Sequence, residues 1–299
     1  MAQKIKTVGI VGAGFMGCQI ASRSAVFGYD VRMYDVKPET LTAAKTTTKA
    51  YTDMHFGENK SEAAAADLRV TYHSTLAEAL AGVDLAFEVV PENPELKKKV
   101  FAEMEKAAPG HAILASNSSS IPVSCVIDTV QCHDRVINIH FYIPISQRNI
   151  VDIMGCAKTS KETKEAAEDW VRSIQCIPLL AKKECMGFVF NRVWRAIKKD
   201  SLAIWAGGYA DFRDVDRGWM VMTGMNIGPF GAMDYVGLDV VYDIEMSYYN
   251  DSKDPKDKPP QALKDMIDKG LMGVKTTKGF YDWSKPEFMQ PDFLNPKKK

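Results

Sequence analysis

The stretch Val8-Gly9-Ile10-Val11-Gly12-Ala13-Gly14-Phe15-Met16-Gly17 decides the fold. A strand-length β-branched run passes through three glycines spaced GxGxxG into a helix-like pattern from Met16 to Phe27. Strand, glycine turn and helix in that order are the context in which this spacing binds a dinucleotide. Gly12 makes the tight turn, Gly14 lets a pyrophosphate reach the backbone, and Gly17 lets helix and strand pack closely. Phe15 and Met16 fall at the start of the helix, where free N–H groups and the helix dipole favour phosphate. Asp35 ends the next strand-like run, Asp30 to Asp35, at the position where a carboxylate accepts hydrogen bonds from ribose hydroxyls. It repels a 2′-phosphate, so the expected cofactor is NAD rather than NADP, although Arg32 and Lys37 are close enough to soften that preference. A glycine turn without a ligand is the alternative reading of the spacing alone. Strand, helix and acid together favour NAD.

Outward from this motif, strand-like runs alternate with helical patterns. Candidate strands are Thr7 to Gly12, Asp30 to Asp35, Leu68 to Tyr72, Asp84 to Val90, Ala112 to Asn117, Arg135 to Phe141, Asn149 to Met154 and Cys176 to Ala181. Candidate helices between them include Met16 to Phe27, Pro94 to Ala107 and Ser160 to Ser173. This alternation predicts an α/β architecture, a Rossmann-type doubly wound, mostly parallel sheet. After Phe188 the strands fade, and Val189 to Ala206, Asp214 to Thr223, Pro229 to Tyr248 and Pro260 to Gly270 read as helices. The expected organisation is an NAD-binding domain over residues 1–185 and a smaller all-helical domain over 186–299. Asp251 to Pro260 reads as a solvated loop, and Pro296 to Lys299 as a frayed tail.

Composition narrows the classes. A chain of 299 residues exceeds the size at which one core usually stops growing, which agrees with two domains. Lys plus Arg (38) equals Asp plus Glu (38), so no overall field attracts nucleic acid or an anionic membrane face. The apolar runs are of strand length, and the first begins at Thr7, which leaves no room for a secretory leader. A cytoplasmic protein is expected. The six cysteines (Cys18, Cys125, Cys132, Cys156, Cys176 and Cys185) form no CxxC pair, so buried free thiols are expected rather than a metal cluster or disulfide framework.

Three further stretches place polar groups at element ends: Ser116 to Ser120, His140 to Pro144 and Gly187 to Arg192. His140 alone among five histidines follows an apolar strand and precedes a proline turn into a strand carrying Asp152. If those strands pair, imidazole and carboxylate lie side by side. A neutral imidazole then takes a proton from a hydroxyl, and the carboxylate fixes its tautomer and steadies the imidazolium. A purely structural histidine is the alternative.

These residues resemble the NAD-dependent L-3-hydroxyacyl-CoA dehydrogenase family. Phe87 to Asn93 is similar to its strand ending in Glu-Asn, Ser116 to Ser120 to its Ser-Asn-Thr-Ser-Ser, and Gly187 to Arg192 to its Gly-Phe-x-x-Asn-Arg. Gly228 to Phe230, Asp234 to Asp239 and Lys278 to Tyr281 are similar to its helical-domain signatures. The resemblance implies that His140 is the base, Asp152 its acidic partner, and Ser119 and Asn191 the groups near the reacting oxygen. It places Glu92 and Lys97 at the nicotinamide end of the cleft, and Asn117 with the cofactor-binding residues. It further implies a 3-hydroxyacyl-CoA substrate and a homodimer formed through the C-terminal domain.

Four departures stand out. Ile143 replaces the family's Asn two residues after His-Phe, removing an amide beside the base. Asp152 replaces Glu, shorter by one bond of about 1.5 Å. Met186 replaces a Pro before Gly-Phe and frees a backbone angle at the domain junction. The stretch Ala44 to Asp67, where the family carries a basic helical pair for CoA phosphates, balances Lys45, Lys49 and Lys60 against Asp53, Glu58, Glu62 and Asp67. A non-CoA hydroxy acid or other secondary alcohol, and a non-catalytic NAD-binding protein, are therefore the alternative readings. The Trp and Met residues from Trp194 to Met225 read as core or interface. Arg213, Asp214, Asp216 and Arg217 read as a solvated or interfacial charge cluster, and the lysines beside Lys97 as an exposed helix face.

Overall fold

The computed structural model describes residues 4–295, so the tail from Pro296 lies outside the described residues. The chain divides into two compact units, one closing at Phe190 and the other beginning at Asn191. The division falls a little beyond residue 185 because Phe188 and Phe190 pack on His140 and Tyr142 of the first unit.

The first unit contains eight strands: β1 (Thr7–Val11), β2 (Asp30–Tyr34), β3 (Val70–His73), β4 (Leu85–Glu88), β5 (Ile113–Ser116), β6 (Val136–Phe141), β7 (Ile150–Met154) and β8 (Ile177–Ala181). They form one sheet in the order β3-β2-β1-β4-β5-β6-β7-β8. Every pairing is parallel except β6 with β7. This is the doubly wound, mostly parallel sheet that the alternating pattern predicts. The helices are α1 (Phe15–Val26), α2 (Pro38–Phe56), α3 (Lys60–Asp67), α4 (Leu76–Leu80), α5 (Pro94–Ala107) and α6 (Lys161–Ser173).

Strands β4, β5 and β6 are buried throughout, as a sheet covered on both faces requires. One face packs Phe87, Ile139 and Trp170 into a common core, and the other packs Phe101, Met104 and Leu114. Asn93 caps α5 by accepting from Leu96 N–H, Pro94 opens its first turn, and Lys97, Val100, Phe101 and Met104 form its buried stripe. α2 is unusually threonine-rich. Its Thr42, Thr47 and Thr48 hydroxyls donate to carbonyls one turn back, which satisfies them within the helix. α4 is missing from the sequence reading because it is a single short turn, held by the reciprocal cap of Thr75 and Glu78.

The second unit contains α7 (Phe190–Ala206), α8 (Phe212–Thr223), α9 (Pro229–Val236), α10 (Leu238–Ser252) and α11 (Gln261–Asp268) around a core that includes Phe230, Leu238, Phe280 and Tyr281. The single helix expected over Pro229 to Tyr248 is two helices, broken at Gly237, whose φ of 104° belongs to glycine. The loop expected to be merely solvated contains a 3₁₀ turn, Pro255–Asp257, and Asp257 accepts from Arg195 and Lys199 of α7. Of the six free cysteines four are buried, Cys185 is half-buried and Cys125 is exposed. Among the described residues no helix is long and apolar enough to cross a membrane.

Asp216 corrects the reading of its neighbourhood as a solvated cluster. It is fully buried and accepts from the Phe230 and Gly231 N–H groups at the start of α9 and from the Tyr281 hydroxyl. Burial pushes its carboxyl up to about 6 against the pull of these donors, with nearby Asp234 adding to the rise. A carboxyl that holds its proton more tightly folded than unfolded costs stability as pH rises through the two values. Urea unfolding should therefore show wild-type stability, measured relative to Asp216→Asn, falling between pH 3.8 and about 6. A difference that is flat or rises across this window contradicts the assignment.

Candidate functional site

A cleft of about 760 Å³ opens at the carboxyl ends of β1, β4, β5 and β6, with Asp35 and Lys37 at its margin as well as Glu92, Ser119 and His140. Ligands of open α/β sheets bind where the strand order reverses, here between β1 and β4. Three glycines shape that crevice. A Cβ on Gly12, whose φ is +112°, would sit 2.4 Å from the Val89 carbonyl oxygen, and one on Gly17 would sit 2.0 Å from the Gly12 carbonyl oxygen. Around Gly14 the space is open, and as the N-cap of α1 it leaves the first turn without a side-chain cap. The residues present therefore fit a dinucleotide: two glycines hold the turn closed and the third exposes backbone N–H groups to an anion.

Asp35 is tied to the glycine turn. Its carboxylate accepts from Ala13 N–H at 2.9 Å and from Lys37 N–H at 2.9 Å. Arg32, by contrast, donates to the Glu78 and Ala79 carbonyls at 2.6 and 3.2 Å and is turned onto α4. Met16 lines the cleft, whereas the Phe15 ring is exposed and packs edge-on against Tyr51, so only its backbone belongs to the turn. Beneath the turn, burial and the Asp35 charge push the Cys18 thiol up to about 11, leaving it inert as a nucleophile.

At the other end lies a buried ionic knot. Lys97, 2% exposed, reaches Glu88 at 2.8 Å and Glu92 at 3.2 Å. Glu88 also accepts from the Ser116 hydroxyl and Val90 N–H. Glu92 accepts from the Ser118 and Ser120 hydroxyls at 2.5 and 2.7 Å. Burial tends to raise the Glu92 carboxyl, but these hydroxyls and the Lys97 ammonium outweigh it and hold it below the usual carboxylate range. Asn117 Oδ1 accepts from Phe141 N–H at 3.0 Å, tying the end of β5 to the residue after His140.

His140 and Asp152 are opposed residues of the antiparallel pair β6 and β7, which puts both side chains on one face. Asp152 is fully buried, with Oδ2 at 3.5 Å from His140 Nδ1, and Nδ1 has no hydrogen-bond partner among the described residues. Asp152 Oδ2 instead accepts from the Tyr142 hydroxyl at 2.5 Å, and Oδ1 accepts from Val189 N–H at 3.3 Å. The Phe188 ring stacks on the imidazole at 5.4 Å with a 12° interplanar angle, and Tyr142 meets it edge-on at 4.6 Å.

The first unit thus gathers Gly12, Gly14, Met16, Asp35, Glu92, Lys97, Asn117, Ser119 and His140 on one cleft, with Asp152 behind His140. Ser119 is exposed to the cleft. Asn191 stands at the start of α7, a half-buried position of the second unit. The sequence reading gives no role to Glu88, Tyr142 or Phe188. Tyr142 carries a signal, since the second residue along a strand from His140 shares its face, whereas Glu88 and Phe188 acquire their contacts only through the tertiary fold.

Fold and cleft define a dinucleotide-binding dehydrogenase architecture. The chain belongs to the 3-hydroxyacyl-CoA dehydrogenase family: residues 7–185 match the family's NAD-binding domain and residues 187–283 its C-terminal domain. A probable 3-hydroxybutyryl-CoA dehydrogenase of Bacillus subtilis is 31% identical over 287 residues, 94% of this chain and 98% of its own. The solved (S)-3-hydroxybutyryl-CoA dehydrogenase of Ralstonia eutropha superposes with a TM-score of 0.86 at 29% identity, covering 93% of this chain and 99% of that one. A diketoreductase acting on dicarbonyl compounds superposes with a TM-score of 0.84 at 29% identity, again over 93% and 99%.

If Asp35 receives the ribose, Asp35→Ala should weaken NADH binding about 10- to 100-fold, the worth of hydrogen bonds to a charged group. NADPH binding should hold or improve. Calorimetric titration reads both, and equal losses for the two cofactors would remove Asp35 from the recognition.

Proposed function

We propose that the protein interconverts the 3-hydroxy and 3-keto groups of an acyl-CoA thioester with NAD. The observation that carries this reading is the placement of His140 on the same cleft as the glycine turn, with Asp152 directly opposite it across the strand pair. When bound, NAD supplies the acceptor or donor of hydride. His140 Nε2 takes the hydroxyl proton in oxidation and returns it in reduction, because Nδ1 faces Asp152. Asp152 steadies the imidazolium, and Ser119 donates a hydrogen bond to the substrate oxygen. Lys97 and Glu92 fix the floor of the cleft at its nicotinamide end.

A second reading is favoured by the α2 and α3 segment and by the likeness to a dicarbonyl reductase. Lys49, one of the few cations available for CoA phosphates, is already paired with Asp53 at 3.1 Å. Ile143 presents an apolar side chain to the cleft where the family resemblance implies an amide. In this reading NAD and His140 remain, and the substrate is a free hydroxy acid or other secondary alcohol.

The C-terminal unit exposes the apolar side chains of Val193, Tyr209, Val221, Met222, Met225 and Tyr235, which supports a homodimer formed through that unit. The free thiols Cys125 and Cys185, with no disulfide partner, agree with work in the reducing cytoplasm.

Steady-state reduction of acetoacetyl-CoA and acetoacetate by NADH separates the two readings. Higher kcat/KM for the thioester supports the first, and equal or better activity on the free acid supports the second. NADH binding without turnover of any hydroxy or keto substrate would leave a binding protein only. His140→Gln should lower kcat by about 10²- to 10⁴-fold, the usual worth of a general base, with NADH affinity unchanged. Undiminished turnover would remove His140 from the chemistry.

A further inference from the structure

We infer that Tyr142 is a positioning residue that completes the His140–Asp152 pair in place of the carbon the acid lacks. The inference rests on the dehydrogenase reading for its kinetic meaning, but its structural basis is independent of substrate.

Tyr142 follows His140 by two residues, immediately beyond the end of β6, so the extended backbone carries both side chains to the face occupied by Asp152. It is buried, and its hydroxyl donates to the same carboxylate oxygen that looks toward His140 Nδ1. A carboxylate oxygen has two lone pairs, so accepting from the phenol leaves one for the imidazole N–H. At 3.5 Å that second bond is not made, and a small rotation of either side chain would close it. The other oxygen is held by Val189 N–H. The carboxylate is therefore anchored on both oxygens by groups that keep its charge facing His140.

The aromatic surroundings act in the same direction. The imidazole is clamped between the stacked Phe188 ring and the edge-on Tyr142 ring, and Tyr142 is itself braced edge-on by Phe190 at 5.5 Å. Tyr142 thus links the two groups, with its ring against the imidazole and its hydroxyl on the carboxylate. A glutamate at 152 would drive its carboxylate into the space the phenol oxygen now fills. A shorter acid and a phenol on the same face are complementary solutions to one distance.

The test is a double-mutant cycle. Tyr142→Phe removes one oxygen and should lower kcat about 10-fold, the worth of one hydrogen bond to a charged group, with KM for substrate and NADH unchanged. Asp152→Glu alone should also lose activity through the clash. Tyr142→Phe combined with Asp152→Glu should recover most of either loss, because the longer acid then occupies the vacated space. Additive losses, or wild-type kcat in Tyr142→Phe, would overturn the inference.

A second readout needs no turnover. The ring nitrogen resonances of His140, assigned by their loss in His140→Gln, should shift toward a mixed tautomer population in Tyr142→Phe and return in the double variant. An unchanged His140 signal in Tyr142→Phe overturns the inference even if the enzyme is active. The expected shift in a chain with no dehydrogenase activity upholds it and removes the functional reading instead.

Discussion

The antiparallel register of β6 on β7 is the constraint on which the site depends. It places His140 opposite Asp152 and carries Tyr142 onto the same face. Side chains alternate along a strand, so a slip of one residue would send the imidazole to the opposite face of the sheet from the acid. The parallel half of the sheet could not achieve this pairing so economically. A parallel neighbour returns through a long crossover, whereas here a short turn after His140 brings the acid back directly beside the base. The glycine turn at β1 and the imidazole at β6 then meet across the carboxyl edge because β4 and β5 lie between them in the sheet.

A formally neutral chain manages its charge locally. The anion-binding end of the cleft is built from backbone N–H groups at α1, which need no cation. The far end concentrates Lys97, Glu88 and Glu92 under β4 and β5, with serine hydroxyls saturating the carboxylates. A buried ion pair of this kind is weak evidence for stability, and its value here is rigidity. Lys97 cannot leave Glu88 without leaving a charge uncompensated. This end of the cleft is therefore fixed before any ligand arrives.

Much of this was legible in the sequence because the signals are local. The strand runs, the GxGxxG with Asp35, and the proline turn between His140 and Asp152 each lie within a short window, and all eight strands appear where the pattern puts them. The parts that were not legible depend on distant partners. Asp216 looks like one of four surface charges until Phe230, Gly231 and Tyr281 supply its donors. Gly237 breaks a helix whose apolar pattern runs through it. Lys97 is set apart from the lysines beside it by the family resemblance, but its burial against Glu88 comes from the fold. The departure of Asp152 from glutamate was visible as a missing carbon, but the phenol that answers it was visible only as a residue of the same strand face.

The central claim is that this cleft passes hydride between NAD and carbon 3 of an acyl chain. It is tested most directly by following the hydrogen itself. NADH carrying deuterium at both C4 positions of the nicotinamide is incubated with acetoacetyl-CoA in ordinary water, and the product is read by mass spectrometry and NMR. The account predicts a 3-hydroxyacyl product with one deuterium on carbon 3 and none elsewhere. NADH that binds but delivers no label to the acyl chain, or label that appears in solvent instead, would contradict it.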